Sequence, residues 1–411
     1  MYFIYNTFIN ILILFSPLIL FFRILKRKED PKRLLEKFCL YKNKQNFQKL
    51  IWFHAASVGE LKSIIPIIEI IEKKNQIKKV LITTSTTSSA KIFEKYKFKK
   101  TIHKYYPLDS DFITKQFIKF WKPKTAFFVD SEIWPNMIKN LYQSKIPIIL
   151  INARITHKSF IKWRYFKSFS KKIFGKITLA LPSNGETFKY LKKLGVKNIK
   201  IAGNLKFFGV IKKKEEKNIQ KKFKNFYPWC AASTHKSEES LILKLHKNLK
   251  NKENKIITII IPRHVNRINE IILEIQNNNL NYIRHSSNKK IKKNTDIYLV
   301  DTYGETDTFY NLTNVTFLGG SIIKHGGQNP LEPARLGNYI ISGPNIKNFE
   351  EIYNFLNDND LCTISSKTAI IQKSVKFNLK KKISSKLISK INNIGVKILN
   401  QNLAQIKKYI L

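Results

Sequence analysis

The chain has 411 residues, more than a single hydrophobic core commonly serves, so two domains are expected. Hydrophobic residues make up 43% of the chain and aromatic residues 12%, a composition that excludes a largely disordered protein. The 75 Lys and Arg residues outnumber the 28 Asp and Glu residues, and the net charge of +47 must attract polyanions such as nucleic acid or an anionic membrane.

The first predicted element is an apolar segment from about Tyr2 to Phe22, interrupted mainly by a few polar residues and Pro17. Its length of roughly 20 residues is enough to cross a bilayer, and no small-residue cleavage site follows it. The basic residues within 23–28 predict that the rest of the chain lies on the cytoplasmic side. We therefore predict a membrane anchor over residues 1–26, with an amphipathic helix lying in the interface as the alternative.

Short apolar runs then alternate with segments of helical periodicity. Strands are predicted over residues 50–54, 80–84, 126–129, 146–151, 177–181 and 199–202, and, after a polar stretch, over 229–232, 256–261, 282–284, 297–300, 315–318 and 339–342. This alternation is typical of parallel sheets that helices cover on both faces. We predict a first α/β domain over residues 27–211, a linker over 212–227 and a second α/β domain over 228–411. Packing of the last helix back on the first domain is left open.

Nearly every polar motif directly follows a predicted strand. These motifs are "HAASVGE", "VDSEIWPN", "NARIT" and "GNLKF" in the first half, and "AASTHKSEE", "PRHVNR", "DTYGET", "LGGSI" and "GGQNPLEPA" in the second. Because the carboxyl ends of parallel strands meet at one edge of a sheet, these loops are expected to form the ligand site.

Taken in order, from the N-terminal segment to about Phe349, these motifs resemble those of the Kdo transferases, which attach 3-deoxy-D-manno-octulosonic acid (Kdo) to lipid A. The resemblance implies the GT-B architecture, in which two Rossmann-like doubly wound domains face each other across a cleft. It implies an inverting transfer of Kdo from CMP-Kdo to a lipid A precursor, lipid IVA, in lipopolysaccharide core biosynthesis. The expected location is the cytoplasmic face of the inner membrane of a Gram-negative bacterium. Another membrane-associated GT-B glycosyltransferase, using a UDP-sugar and a lipid-linked acceptor, is the alternative.

The catalytic residues implied by the resemblance are Glu60, Asp130, Glu132 and Lys206. A glutamate in a first helical turn is favoured by the helix dipole, so Glu60 also has a purely structural explanation. A sugar hydroxyl that attacks an anomeric carbon needs a general base, and the resemblance places the family's base at Glu60. Asp130 is one methylene shorter than the family's usual glutamate. Lys206 is implied to stabilise negative charge in the transition state.

The donor is expected to bind the second half of the chain. Arg263 and His264 can meet anionic oxygens, and Glu332 can accept from ribose hydroxyls. A helix is predicted to begin shortly after the strand at 297–300, and the backbone N–H groups at its N-terminus can bind an anion. The implied donor-binding residues are Arg263, His264, Gly304, Glu305, Thr306, Asn329, Pro330, Leu331 and Glu332.

Other chemistries find no support in the sequence. The acidic "LDSD" at residues 108–111 mimics a metal motif but is better explained as a helix cap. Three scattered cysteines and eight histidines show no metal-ligand spacing, and the lysines are spread evenly without a known nucleic-acid-binding motif. We expect no catalytic metal, no cofactor apart from the donor substrate CMP-Kdo, and no nucleic acid partner. The expected partners are CMP-Kdo, the lipid A precursor and the anionic membrane surface.

Overall fold

A computed structural model describes residues 1–26, 28–41, 49–209 and 217–411 of the chain. The chain divides into two compact units. Unit 1 comprises Met1–Phe208 together with Gly395–Leu411, and unit 2 comprises Gly209–Ile394. Both units are α/β structures built on a parallel sheet.

Unit 1 contains a six-stranded parallel sheet in the order β3-β2-β1-β4-β5-β6. This is the doubly wound order of a Rossmann fold, and the direction of winding reverses between β1 and β4. The strands are β1 Leu50–His54, β2 Lys79–Thr84, β3 Thr101–Tyr105, β4 Thr125–Val129, β5 Ile148–Ala153 and β6 Leu179–Pro182. The helices are α1 Tyr2–Leu14, α2 Ser16–Leu25, α3 Val58–Glu72, α4 Thr87–Glu94, α5 Asp111–Trp121, α6 Pro135–Gln143, α7 His157–Tyr165, α8 Lys167–Phe174 and α9 Gly185–Leu194.

The central strands are held in place by packing on both faces of the sheet. Successive side chains of a strand point to opposite faces. Trp52 accordingly packs against Phe128, with ring centroids 5.3 Å apart, while Phe53 stacks on Phe127 at 4.5 Å on the other face. All residues of β1 and β4 are buried, so the loops that follow them start from rigid positions.

The N-terminal apolar segment forms two helices rather than the single helix expected. Among the residues that the structure describes, no single helix is long and apolar enough to cross a membrane, although α1 and α2 together pass that test despite a bend of 54°. Pro17 lies in the first turn of α2, where its missing N–H is tolerated but where it would break a continuous helix. Tyr5 of α1 donates to Asp109 Oδ2 at 2.7 Å, so α1 is fixed to the body of unit 1.

Unit 2 contains a seven-stranded parallel sheet in the order β13-β12-β11-β7-β8-β10-β9, and the winding reverses between β7 and β11. The strands are β7 Tyr227–Thr234, β8 Ile256–Pro262, β9 Tyr282–Arg284, β10 Ile297–Leu299, β11 Val315–Leu318, β12 Tyr339–Ser342 and β13 Cys362–Ile364. The helices are α10 Lys217–Phe223, α11 Glu238–Lys250, α12 Ile268–Asn277, α13 Thr306–Leu312, α14 Leu331–Arg335, α15 Glu350–Asn357, α16 Thr368–Asn378 and α17 Ser385–Ile410.

Helix α17 starts in unit 2 and ends in unit 1. Gly395 is its first residue in unit 1, and there the helix approaches the backbone of Phe207 so closely that a Cβ on Gly395 would lie 2.4 Å from the Phe207 carbonyl oxygen. Part of the predicted linker belongs to unit 2, because residues 217–223 form α10. Residues 27 and 210–216 lie outside the described residues, and residues 212–216 of the predicted linker are among them.

Two edge strands were not predicted, and one predicted strand was wrong. β3 was missed because its middle residues, His103 and Lys104, are polar and only partly buried. β13 was missed because it has only three residues. Residues 199–202 form no strand beyond a single bridge between Ile199 and Ala180, since the sheet of unit 1 ends at β6.

Candidate active site

Three of the four predicted catalytic residues follow strands at the carboxyl edge of the unit 1 sheet. Glu60 lies in the first turn of α3, just after β1, and Asp130 and Glu132 follow β4. Lys206 lies in a short 3₁₀ turn, Leu205–Phe207. β1 and β4 are the neighbours between which the winding reverses, and this is where open α/β sheets bind their ligands.

Glu60 is part of the cap of α3 and is also strongly perturbed. The hydroxyl of Ser57, the N-cap residue, accepts from the Glu60 N–H at 3.3 Å and donates to Oε1 at 2.7 Å, while Oε2 accepts from the Ala56 N–H at 2.8 Å. This arrangement is a variant of the capping box. Burial nevertheless raises the pKa of Glu60 to about 7; the hydrogen bonds oppose this shift, and the charges of Glu132 and Asp130 add to it. A carboxyl group that titrates near neutral pH is suited to general-base chemistry.

Asp130 and Lys206 form an ion pair beside this carboxyl group. Asp130 Oδ2 lies 3.5 Å from Lys206 Nζ, and both side chains are largely buried. Burial raises the pKa of Asp130, although Lys206 and Arg154 act to lower it. Asp130 has a φ of 63°, a left-handed conformation that aspartate tolerates better than most residues. Although Asp130 is one methylene shorter than the family's usual glutamate, its carboxylate still contacts Lys206.

Glu132 is held by two ring nitrogens, of Trp134 and His54, that the sequence did not identify as partners. Its Oε2 accepts from Trp134 Nε1 at 2.8 Å and lies 3.2 Å from Nε2 of His54, the buried last residue of β1. Burial acts to raise the pKa of Glu132, but the hydrogen bonds and charge of its partners bring it below its usual value. Glu132 is therefore ionised at neutral pH. The only sequence signal for His54 was a histidine that ends an apolar strand inside "HAASVGE".

In unit 2 the predicted donor-binding residues follow β8, β10 and β11, and two of these strands, β8 and β11, flank the central strand β7. Arg263 and His264 are exposed after β8. The rings of His264 and His235 lie 6.1 Å apart, and those of His235 and His325 lie 4.6 Å apart. Partial burial and the neighbouring positive charges, that of Arg263 first among them, lower the pKa of His264. This cationic surface favours an anionic ligand.

The other predicted donor-binding residues divide into exposed and supporting positions. Gly304 is exposed with a φ of 88°, and Glu305 and Thr306 begin α13. Glu332 is exposed on α14, whereas Pro330 and Leu331 are buried. Asn329 accepts from the Leu331 N–H at 3.1 Å, which fixes the start of α14.

Glu238 was missed by the sequence analysis, although it organises the centre of this edge. Its buried carboxylate accepts from four backbone N–H groups, those of His235 at 3.0 Å, Gly320 at 2.7 Å, Ser321 at 3.0 Å and Ile322 at 3.0 Å. It thus joins the loop after β7 to the loop after β11, between which the winding reverses. Burial alone would raise the pKa of Glu238, but the nearby His235 side chain and these backbone hydrogen bonds lower it.

The acidic "LDSD" motif is a capping structure, as predicted. Ser110 caps α5, and Asp109 accepts from the N–H groups of Asn136 and Met137 at the start of α6. Within the described ranges, no group of three or more His, Cys, Asp or Glu side chains is arranged to hold a metal ion. Metal independence stays a prediction.

The two Rossmann-like units give the chain a GT-B-like fold. A putative UDP-N-acetylglucosamine 2-epimerase from Listeria monocytogenes superposes with a TM-score of 0.60, covering 88% of this chain and 97% of that chain at 11% identity, a likeness in fold alone. Residues 32–208 match the family described as 3-deoxy-D-manno-octulosonic-acid transferase (kdotransferase).

Full-length relatives agree with this match. The 3-deoxy-D-manno-octulosonic acid transferase of Rickettsia bellii is 34% identical over 81% of this chain and 80% of its own length. That of Haemophilus influenzae is 29% identical over 98% of this chain and 96% of its own length. The chain belongs to the 3-deoxy-D-manno-octulosonic acid transferase family and is a glycosyltransferase.

Proposed function

We propose that this Kdo transferase moves Kdo from CMP-Kdo to a hydroxyl of a lipid A precursor, lipid IVA, by an inverting displacement. In this proposal Glu60 is the general base. The observation that carries it is the buried Glu60 carboxyl group, whose pKa is raised to about 7 at the point where the winding of the unit 1 sheet reverses.

The reaction needs one proton acceptor and one source of positive charge. Ionised Glu60 takes the proton of the acceptor hydroxyl as the oxygen attacks the anomeric carbon of Kdo, and the bond from that carbon to the phosphate oxygen of CMP breaks. Negative charge passes to the departing phosphate, which Lys206 is suited to offset. Asp130 holds Lys206 by their ion pair, and Glu132 keeps a fixed negative charge near Glu60.

The donor is assigned to unit 2 on charge and exposure. CMP-Kdo carries a phosphate and a sugar carboxylate, both of which match the cationic surface around Arg263 and His264. Exposed Glu332 is placed on α14 to accept from ribose hydroxyls.

The test of this function is a direct transfer assay. The protein is incubated with CMP-Kdo and tetraacylated lipid A precursor, and the product is read by mass spectrometry. A mass increase of one or more Kdo residues supports the proposal. The competing proposal, a transferase that uses a UDP-sugar and a lipid-linked acceptor, predicts no such product and thermal protection of the protein by UDP rather than by CMP.

We also propose that α1 and α2 bind the cytoplasmic face of the inner membrane, where the lipid acceptor is found. Many of their large apolar side chains are exposed, among them Phe3, Phe8, Leu14, Leu18, Phe21 and Phe22. The net charge of +47 favours an anionic lipid surface. Tyr5 and its partner Asp109 keep α1 attached to the catalytic unit, so membrane binding would hold that unit close to the surface.

Replacing three of these side chains should weaken membrane binding without removing the helices. In Leu18→Ser/Phe21→Ser/Phe22→Ser, we expect cosedimentation with anionic phospholipid vesicles to fall at least about 100-fold, because each buried apolar side chain contributes about 1.5–3 kcal/mol. Transfer to detergent-dispersed acceptor should be unchanged. The control is Leu273→Ser/Phe377→Ser, at exposed apolar positions of unit 2. Undiminished sedimentation of the triple variant at high salt would contradict the proposal.

A further inference from the structure

Asp109 lies between α1 and the start of α6, and its side chain has partners on both helices. The carboxylate is buried. Oδ2 accepts from the Tyr5 hydroxyl of α1 at 2.7 Å and from the Asn136 N–H at 3.0 Å, while Oδ1 accepts from the Met137 N–H at 2.9 Å. One carboxylate therefore joins two helices that are distant in sequence.

Helix α6 has no acceptor of its own for its first amide groups. Its N-cap residue is Trp134, whose side chain makes no capping hydrogen bond. Pro135 follows and has no N–H, so the first amide groups of the helix are those of the buried residues Asn136 and Met137. An N-cap side chain would normally accept from these two positions. Asp109 takes over that role from a different part of the chain.

The start of α6 determines where the catalytic Glu132 lies. The ring of Trp134 packs against that of Tyr106, with centroids 5.3 Å apart, and Trp134 Nε1 donates to Glu132 Oε2 at 2.8 Å. Glu132 is only three residues before Pro135, the first residue of the helix. A shift of the first turn of α6 would therefore move Trp134, and with it the carboxylate that lies near Glu60.

The other side of the link is α1, in which every residue is at least partly exposed. Tyr2 and Tyr5 pack on Phe169 of α8, with ring centroids 5.1 Å and 6.3 Å from that ring. Lys139 of α6 has its Nζ 5.7 Å from the centre of the Tyr2 ring, within the range of a cation–π contact. Aromatic packing and the Tyr5 hydrogen bond to Asp109 thus hold α1 in place.

The buried Asp109 carboxylate depends on its donors. Burial raises the pKa of Asp109 to about 6, while the hydrogen bonds from Tyr5 and from the two amide groups of α6 oppose this rise. The group is mainly ionised at neutral pH, and an ionised carboxylate can only accept. Loss of the Tyr5 hydroxyl would remove one donor from a buried charge, which is costly unless the carboxylate moves towards another donor. Such a movement would disturb the first turn of α6.

We propose that Asp109 is a positioning residue that joins α1 to the catalytic loop after β4, so that the orientation of Glu132 depends on α1 being in place. The inference rests on the proposed function, in which Glu132 keeps a fixed charge near the general base Glu60. Tyr5 acts on the reaction only through Asp109. Helix α1 thereby serves catalysis in addition to membrane binding.

Two substitutions act on the two sides of this link. Tyr5→Phe removes only the hydroxyl of α1 and keeps the ring that packs on Phe169. Asp109→Asn keeps the shape of the side chain but directs an N–H₂ group at donors from which the carboxylate accepted. The first variant releases α1, whereas the second disturbs the start of α6 directly.

Both variants should lower kcat and leave the KM for CMP-Kdo unchanged, because the donor is assigned to unit 2. Since a misplacement of about 1 Å can cost about 100-fold in rate, we expect kcat to fall by about 10–100-fold in Asp109→Asn and by about 3–10-fold in Tyr5→Phe. In the Asp109→Asn background, Tyr5→Phe should cause no further fall. Rates are measured with detergent-dispersed acceptor, so that membrane binding does not affect them.

An indole NMR signal reports on the catalytic loop without any transfer assay. The chain has five tryptophans, and the ¹H–¹⁵N indole signal of Trp134 is assigned by its loss in Trp134→Phe. Tyr5→Phe and Asp109→Asn should both move or broaden this signal, because the hydrogen bond from Trp134 to Glu132 changes. The signal of Trp229, in unit 2, should stay in place and serves as the internal reference.

Tyr339→Phe is the matched control for a merely structural role. Tyr339 is a partly buried tyrosine of unit 2 whose hydroxyl lies 2.9 Å from Thr363 Oγ1. Its replacement should lower the melting temperature about as much as Tyr5→Phe does, but kcat and the Trp134 signal should be unchanged. If Tyr5→Phe also leaves both unchanged, or if it lowers kcat further in the Asp109→Asn background, the proposal is wrong.

The outcome does not depend on whether Asp109→Asn folds. Tyr5→Phe keeps the contacts of Asp109 with α6, and its effect on kcat and on the Trp134 signal decides the proposal by itself. Failure of the proposed function would instead appear as a lack of Kdo transfer by the wild-type protein. The Trp134 signal would still show whether α1 and the loop after β4 are linked.

Discussion

Glu60→Gln is expected to lower turnover by about 10²–10⁴-fold, the usual contribution of a general base. Glutamine fills the same space, can accept from the Ala56 N–H and can donate to the Ser57 hydroxyl, so the start of α3 should be kept. Only the capacity to accept a proton is lost. Initial rates and CMP affinity, measured on one preparation, should show a large fall in rate with affinity unchanged.

Glu60→Gln is expected to lower activity without lowering stability. The pKa of Glu60 is raised to about 7, above its value in an unfolded chain, so its contribution to folding is fully present at acidic pH and is lost as the pH rises through about 7. Glutamine never ionises, and Glu60→Gln should therefore melt at least as high as the wild type at pH 8. Wild-type activity should rise through the same pH range, because the ionised carboxylate is the active form.

A purely capping role for Glu60 predicts the reverse on both measurements. The variant would then lose about 0.3–1 kcal/mol of stability, the scale of a helix-dipole interaction, and turnover would be nearly intact. Glu69→Gln, at an exposed position of the same helix, is the matched control and should change neither quantity. Retained activity in a less stable Glu60→Gln protein would exclude Glu60 as the base.

The buried strands were predictable because of how parallel sheets are covered. Helices on both faces leave the central strands apolar throughout, and runs such as those of β1 and β11 can be recognised from sequence alone. Edge strands are partly exposed and carry polar residues, as β3 does with His103 and Lys104, so the same signal fades there. The motifs after the strands were found for a related reason, since parallel strands bring their carboxyl ends to one edge.

The contacts within the site could not be predicted, because they join residues that are distant in sequence. His54 and Glu132 are 78 residues apart, and nothing near either residue specifies the other. Glu60 caps α3 and is also buried near the carboxylates of Asp130 and Glu132. That proximity depends on the pairing of β1 with β4, which are far apart in sequence. The catalytic assignments from resemblance therefore identified the residues but not their partners.

Glu238 shows the same limit in unit 2, since four of its partners are backbone amides, which any residue could supply. Glu238→Gln should be among the most destabilising single changes in this unit. The carboxylate satisfies four N–H groups with two oxygens, whereas glutamine has one oxygen and must direct its own N–H₂ group at two of these donors. Because each buried donor without a partner costs about 1–3 kcal/mol, we expect the free energy of unfolding to fall by about 3–5 kcal/mol.

Loss of this carboxylate should also loosen the loops after β7 and β11 and weaken CMP binding. Arg263→Ala provides the contrast, because removal of this exposed guanidinium should cost about 1.5–3 kcal/mol of CMP affinity and leave the melting temperature near that of the wild type. Glu270→Gln, on the exposed face of α12, should alter neither CMP affinity nor melting temperature.

The pKa of Glu238 is lowered in the folded protein, so its contribution to stability is present above the unfolded pKa and is lost as the pH falls through the folded value. The difference in stability between wild type and Glu238→Gln should accordingly be largest near neutral pH and should become smaller in acid. A Glu238→Gln protein with normal stability and normal CMP affinity would show that these loops do not depend on the carboxylate.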